Sequence, residues 1–307
     1  MPEFCLRDGG MPILLTAFDE DDKLDLKAMG AMLDFYAALD LPGVLALGQA
    51  SEVLLLDDAE RRRVAQYVAQ RPRGSMTLAT VGNFGATLAE QARSLQRIYE
   101  QGTDVVVVAL SLLPSADNLG AQLLEIAHIV PTHVRLGIYE LPEPEHRLLM
   151  PAEVGAAAAS GRYFFMKETS RQMEAFRAKV AASAGSPLKI YQANLGMLPA
   201  SMDAGGCGFC GWMPIVAPEL CAQVCDLSLP AEVRVAAQEA LLAFYDVMVA
   251  HGFPASAKHI LTRRGLPIHA YSRAPAAQGF FQRDTSILDD YIARENPFVG
   301  ISFARGV

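Results

Sequence analysis

The sequence predicts a (β/α)8 barrel of the TIM type followed by a C-terminal helical extension, and three observations carry that expectation. Short apolar runs alternate with longer segments of helical period, the pattern of strand-then-helix units on a parallel sheet. About eight such units of about 25 residues follow one another before position 225, which suits a closed barrel. Positions 226–307 hold helical stretches but no strand of comparable strength. Residues 1–225 are therefore expected to form the barrel and carry the active site, with 226–307 packed on it and lacking a core of their own.

Taken in order, the first strand is expected at Met11 to Leu15, leading through Thr16-Ala17-Phe18 and an acidic turn into a helix over Leu26 to Leu39. Val44 to Leu47 is the second strand, and after the loop Gly48-Gln49-Ala50-Ser51-Glu52, Asp57 and Asp58 mark the next helix start. Thr77 to Val81 precedes a helix over Thr87 to Gln101, and Val105 to Ala109 one over Asn118 to Val130. Arg135 to Tyr139 is the fifth strand and closes in Tyr139-Glu140-Leu141-Pro142; a helix near Ala152 to Ser160 follows. The sixth strand is Phe164-Phe165-Met166-Lys167-Glu168-Thr169, with its helix over Arg171 to Ala184, and Lys189 to Gln192 is the seventh. The eighth falls in the glycine-rich Gly205 to Gly211, a composition that weakens a strand. Helices are expected beyond it at Ala231 to Ala250, Ala255 to Arg263 and Thr285 to Glu295.

Composition narrows the function. Of 307 residues, 51% are hydrophobic and 20% charged, which excludes a disordered chain. A net charge of -8 with scattered Lys and Arg leaves no footprint for nucleic acid. The start carries Glu3, Arg7 and Asp8 without an apolar core, and the longest apolar run, Val105 to Leu113, is too short to span a bilayer, so a cytoplasmic protein without membrane attachment is expected. Five cysteines in such a chain point to reduced thiols.

The lysine that ends the sixth strand needs a reason. A buried lysine either pairs with a carboxylate or loses its proton by desolvation, and the second option makes a nucleophile for carbonyls. In a barrel of this kind catalytic groups come from the carboxyl ends of the strands, which gathers Thr16, the 48–52 loop, Tyr139, Lys167, Thr169 and the glycine-rich segment on one face. An amine that forms an imine with a 2-oxo acid needs a proton carrier nearby, and a phenol in a desolvated site suits that part.

At this point the residues resemble a family. Leu15-Thr16-Ala17-Phe18-Asp19, the Gly48-x-x-x-Glu52 loop in place of Gly-Thr-Thr-Gly-Glu, Tyr139-Glu140-Leu141-Pro142 in place of Tyr-Asn-Val-Pro, and Met166-Lys167-Glu168-Thr169-Ser170 at the imine lysine make the chain similar to the dihydrodipicolinate synthase / N-acetylneuraminate lyase superfamily of Schiff-base aldolases and dehydratases. The helical tail, with Ser256-Ala257-Lys258, is similar too. The resemblance implies Lys167 as the imine-forming lysine and Tyr139 as proton carrier. It implies Gln49, Ala50, Ser51, Thr169, Phe209 and Cys210 around a small-molecule 2-oxo acid, and a homotetramer built as a dimer of dimers. No cofactor or metal is expected, since the six histidines show no His-x-His or His-Glu-x-x-His pattern.

The departures are informative. Gln49 and Ala50 stand where the family has two hydroxyl residues for the pyruvate carboxylate, leaving backbone N–H groups and a displaced Ser51 hydroxyl. Ala109 to Pro114 has no tyrosine for the synthase's proton relay, and Pro144 replaces the arginine that meets the synthase's second substrate, so a less acidic or more apolar partner is expected. Authentic dihydrodipicolinate synthase is not the expectation; a sugar-acid aldolase or dehydratase fits.

Other patterns carry less. Gly206-x-Gly208-x-x-Gly211 does not follow a first strand or open a helix, so its glycines are read as small residues at a crowded strand where backbone nears ligand. Cys207, Cys210, Cys221 and Cys225 have metal-like spacing, but the second pair lies on an apolar helical stretch where cysteine is a small hydrophobe. His146 lies just beyond the Tyr-x-x-Pro motif and could overhang the mouth, while Glu52 and Glu168 read as structural. The expected function is a lyase acting through an imine on Lys167, with a catalytically silent, metabolite-binding barrel as the alternative.

Overall fold

A computed structural model describes residues 4–280 and 284–295, and within them eight parallel strands form one barrel wrapped by helices. The strands are β1 (Gly9–Gly10), β2 (Gly43–Ala46), β3 (Thr77–Val81), β4 (Val105–Ala109), β5 (Leu136–Tyr139), β6 (Tyr163–Glu168), β7 (Lys189–Gln192) and β8 (Gly208–Phe209). Each of β2 to β8 pairs with its sequence neighbour, and β1 pairs with β8. A parallel bridge between Ile13 and Leu45 closes the ring. Strands β2 to β5 are buried at every position, as continuous apolar runs between barrel interior and helices must be.

The outer helices are α1 (Leu26–Ala38), α2 (Asp58–Gln70), α3 (Leu88–Glu100), α4 (Leu119–Ile129), α5 (Pro151–Ala159), α6 (Met173–Ala182), α7 (Leu198–Asp203), α8 (Met213–Val216) and α9 (Pro218–Cys225). Their starts follow from side-chain chemistry. Before α2, the Glu60 N–H donates to Asp57 Oδ1 at 2.7 Å and the Asp57 N–H to Glu60 Oε2 at 3.0 Å, so two end donors are satisfied reciprocally. The short α7 and α8 lie in stretches where the sequence predicts no helix.

Two strands differ from expectation for identifiable reasons. The first pairs regularly at Gly9–Gly10 and not over Met11 to Leu15, because Pro12 has no N–H to give and the segment changes partners there. Met11 N–H donates to Phe209 O at 2.8 Å, whereas Leu14 N–H reaches Leu45 O at 2.9 Å on the other side. At β8, a Cβ on Gly208 would lie 1.9 Å from Gly9 O, and one on Gly206 would lie 2.7 Å from Ser201 O. These two glycines answer to backbone crowding, while Gly211 of the same segment lines the barrel-mouth cavity.

The extension comprises α10 (Ala231–Ala250), α11 (Ala255–Arg263) and α12 (Ser286–Glu295); positions 1–3 and 296–307 lie outside the described residues. Its apolar residues, among them Leu241, Phe244, Met248, Ile260 and Leu261, belong to the same buried cluster as the barrel. A buried ion pair ties the two together: Lys258 Nζ lies 2.8 Å from Glu52 Oε1, with both side chains essentially inaccessible. The other oxygen of Glu52 accepts from Ser272 Oγ, Arg273 N–H and Ala274 N–H. Removing one partner of such a pair leaves an uncompensated buried charge, so Glu52→Gln is expected to cost about 3 kcal/mol in denaturant unfolding and to speed proteolysis of the extension. Among the described residues, no helix is long and apolar enough to cross a membrane.

Candidate active site

Tyr139 and Lys167 are register partners on the neighbouring strands β5 and β6, both at the carboxyl end of the barrel. The Lys167 amine lies 4.4 Å from the centre of the Tyr139 ring. Both residues are buried, at 3% and 1% exposure. Burial pushes the Tyr139 phenol above its ordinary range, against the opposing pull of the Lys167 charge and of the Gln49 backbone.

Three lysines are buried in the described residues, and their partners distinguish them. Lys179 bonds Glu140 Oε1 at 2.6 Å and Glu168 Oε1 at 2.9 Å, and Lys258 bonds Glu52. Lys167 forms no ion pair with a described carboxylate; its polar neighbour is a phenol. Because side chains alternate along a strand, Glu140 and Glu168, each one residue past Tyr139 and Lys167, point to the opposite face and meet Lys179 of α6 there. Glu140 also accepts from Leu149 N–H and Thr169 N–H, so the triad pins the loops after β5 and β6.

The 48–52 loop is a single helical turn over 49–51, flanked by Leu47 and Glu52 in left-handed backbone. Among the described residues, no backbone carbonyl accepts from the N–H of Gln49 or Ala50. Ser51 is not available in the way its hydroxyl suggests: Oγ donates to Leu14 O at 2.6 Å and accepts from Gly48 N–H at 3.1 Å, and it is buried. Thr16 likewise turns inward, onto Ser51 O. Thr169 Oγ1 donates to Glu140 O at 2.6 Å, so it accepts from His146 Nε2 at 2.7 Å and has only acceptor capacity left.

Gln49, Tyr139, Lys167, Thr169, Phe209 and His146 line one cavity of about 560 Å³. Ala50 faces an adjoining cavity of about 460 Å³ that shares Gln49, Glu143 and Trp212. Cys210 is fully buried behind the wall, where burial raises its thiol and the Lys167 charge opposes. Sequence reasoning missed the far wall: Arg171, Asn194, and Tyr245 and Asp246 of α10. Trp212 stacks on Phe253 at 4.1 Å and lies 5.9 Å from Tyr245, so the extension shapes the site. No pattern within α10 alone announces this, since its cavity residues occupy ordinary helix-surface positions. Among the described residues, no cluster of His, Cys, Asp or Glu is placed to hold a metal ion, and the cysteines are free thiols.

A model of the Dihydrodipicolinate synthetase family matches residues 7–284. The chain belongs to this family. Within it, the chain is 25% identical over 227 residues to a 4-hydroxy-tetrahydrodipicolinate synthase of Acidithiobacillus ferrooxidans, covering 73% of this chain and 76% of that one. An N-acetylneuraminate lyase of Citrobacter koseri is 34% identical over 99 residues, 32% of this chain and 33% of the lyase. Among solved structures, a prophage protein of the dihydrodipicolinic acid synthase family from E. coli K12, in complex with pyruvate, superposes with a TM-score of 0.80 at 19% identity, covering 95% and 99% of the two chains. A putative dihydrodipicolinate synthase family protein from Coccidioides immitis gives 0.81 at 15% identity over 98% and 100%. At these identities the likeness establishes the barrel alone.

In this member of the Dihydrodipicolinate synthetase family, two departures from the motifs land at identifiable places. Pro144 lies off the cavity lining, which Pro142 and Glu143 supply instead. The segment after β4, which has no tyrosine, leaves Ser111 Oγ buried with no hydrogen-bond partner among the described residues.

Proposed function

We propose that the protein is a Schiff-base-forming lyase acting on a 2-oxo acid through Lys167. The observation that carries this reading is the contrast among the buried lysines: two are held by carboxylates, and the third meets a buried phenol inside a cavity of about 560 Å³. The names of the relatives, a synthase and a lyase, and the pyruvate in the E. coli neighbour support it.

In this mechanism Lys167 Nζ attacks the C2 carbonyl. Tyr139 gives its phenol proton to the oxygen and recovers one from the nitrogen, which makes the carbinolamine, and a second transfer by the same route lets the oxygen leave as water when the imine forms. Gln49 of the 49–51 turn lines the cavity and offers amide groups to the C1 carboxylate in place of the family's hydroxyls. The imine then draws electrons from the bond cleaved at C3 or C4, and the phenol moves the proton that accompanies cleavage. Tyr139 suits a carrier that is neutral at rest, since burial opposes its ionisation.

Incubation with pyruvate or a panel of 2-oxo acids, followed by borohydride reduction, should leave one adduct on Lys167 by peptide mass spectrometry, absent in Lys167→Ala. An intact mass unchanged across the panel would reject the lyase and favour a barrel that only binds its metabolite.

A further inference from the structure

The sequence places Arg171 at the head of a helix, and the structure does not. α6 begins at Met173, and Arg171 occupies the preceding turn with φ of 59°, a left-handed conformation that a non-glycine residue keeps only where its surroundings enforce it. The enforcement is visible on both sides. Ser170 N–H donates to Glu168 Oε1 at 3.0 Å and Gln172 N–H to Ser170 Oγ at 3.3 Å, while Lys179 fixes Glu168.

The turn brings Arg171 to the wall of the Lys167 cavity. Its positive charge reaches His146 on one side and Tyr245 on the other. Other arginines of the barrel are engaged in the fold: Arg147 and Arg162 donate to loop carbonyls, and Arg73 pairs with Asp104. Arg171 is exposed and forms no salt bridge with any described carboxylate, although Glu143 and Asp246 line the same cavity.

We infer that the substrate of this cavity is a 2-oxo acid with a second carboxylate, remote from the carbon that joins Lys167, and that Arg171 receives it. A guanidinium presents a planar fork that matches a carboxylate, and such charge-assisted pairs are the strong ones. The inference rests on the imine at Lys167. It also reverses the expectation of a less acidic partner drawn from Pro144, because a cation is supplied from a different loop.

Borohydride trapping tests it. Half-saturation of the Lys167 adduct is measured for 2-oxoglutarate, 2-oxoadipate and 2-oxopimelate, each against its terminal amide, with pyruvate as reference. In the wild-type protein, at one chain length, the diacid should half-saturate at about tenfold lower concentration than its amide. Arg171→Met should bring that ratio to about one and Arg171→Lys should restore part of it, a pattern that general damage to the fold would not produce. Adducts that form without diacid preference at every length, or a preference that survives Arg171→Met, overturn the role of Arg171 and leave the lyase standing. Failure of every compound, pyruvate included, to label Lys167 would instead remove the imine itself.

Discussion

Lys179→Met is expected to be among the most destabilising single changes in the protein, and its effect should grow as pH rises. Methionine keeps the shape of the stem, so the change isolates the ammonium. That ammonium is the common partner of two carboxylates with no exposed surface, 2.6 Å from Glu140 and 2.9 Å from Glu168. Breaking a buried pair costs about 3–5 kcal/mol, and with two anions left behind the upper end applies, a large part of the stability of a typical domain. The pH dependence identifies the cause. Burial already raises the Glu140 pKa in the native protein, with Lys179 opposing and Glu168 adding to the rise. Without Lys179 the folded pKa moves further up, so the folded state holds protons that the unfolded chain releases. Its stability is then fully present below the unfolded carboxylate range and is lost as pH climbs through the raised value. Urea midpoints of the variant should fall between pH 5 and pH 8 more steeply than those of the wild type. A loss of equal size at every pH would mean that packing, not charge, is what Lys179 supplies.

This triad also marks the limit of what the sequence discloses. The strands and their spacing were legible because burial on both faces turns each into a short apolar run, and Lys167 stood out as a cation at the end of one. Tyr139 and Lys167 were legible through short motifs at strand ends, where local chemistry and position coincide. Lys179 was not. It sits on a helix with ordinary periodicity, and its two partners lie 39 and 11 residues away, brought together only when β5, β6 and α6 pack. The one available hint was that each presumed catalytic residue is followed by a glutamate, which strand alternation must send to the outer face. The same reasoning explains Lys258, whose carboxylate is 206 residues distant, and the α10 wall of the cavity. The serine at 51 misled for the opposite reason: a hydroxyl in a ligand loop was visible, but the carbonyl of Leu14 that claims it was not.

Tyr139→Phe is expected to leave the barrel folded and to remove most of its catalysis. The substitution deletes one oxygen from a residue 1% exposed and keeps the ring that lies 4.4 Å from the Lys167 amine. The stability loss should stay near 1–3 kcal/mol, the range for a buried polar group deprived of its partner. Proton transfer by a positioned side chain contributes about 10²–10⁴-fold, so kcat should fall by that factor, with kcat/KM falling alongside because the phenol acts in the transition state rather than in uniform binding. Lys167 itself remains, so borohydride should still trap a 2-oxo acid on it, more slowly than in the wild type. The combination separates the two groups: Lys167→Ala abolishes the adduct, and Tyr139→Phe delays it while suppressing turnover. Turnover at the wild-type rate in the phenylalanine variant would show that the proton travels by another group.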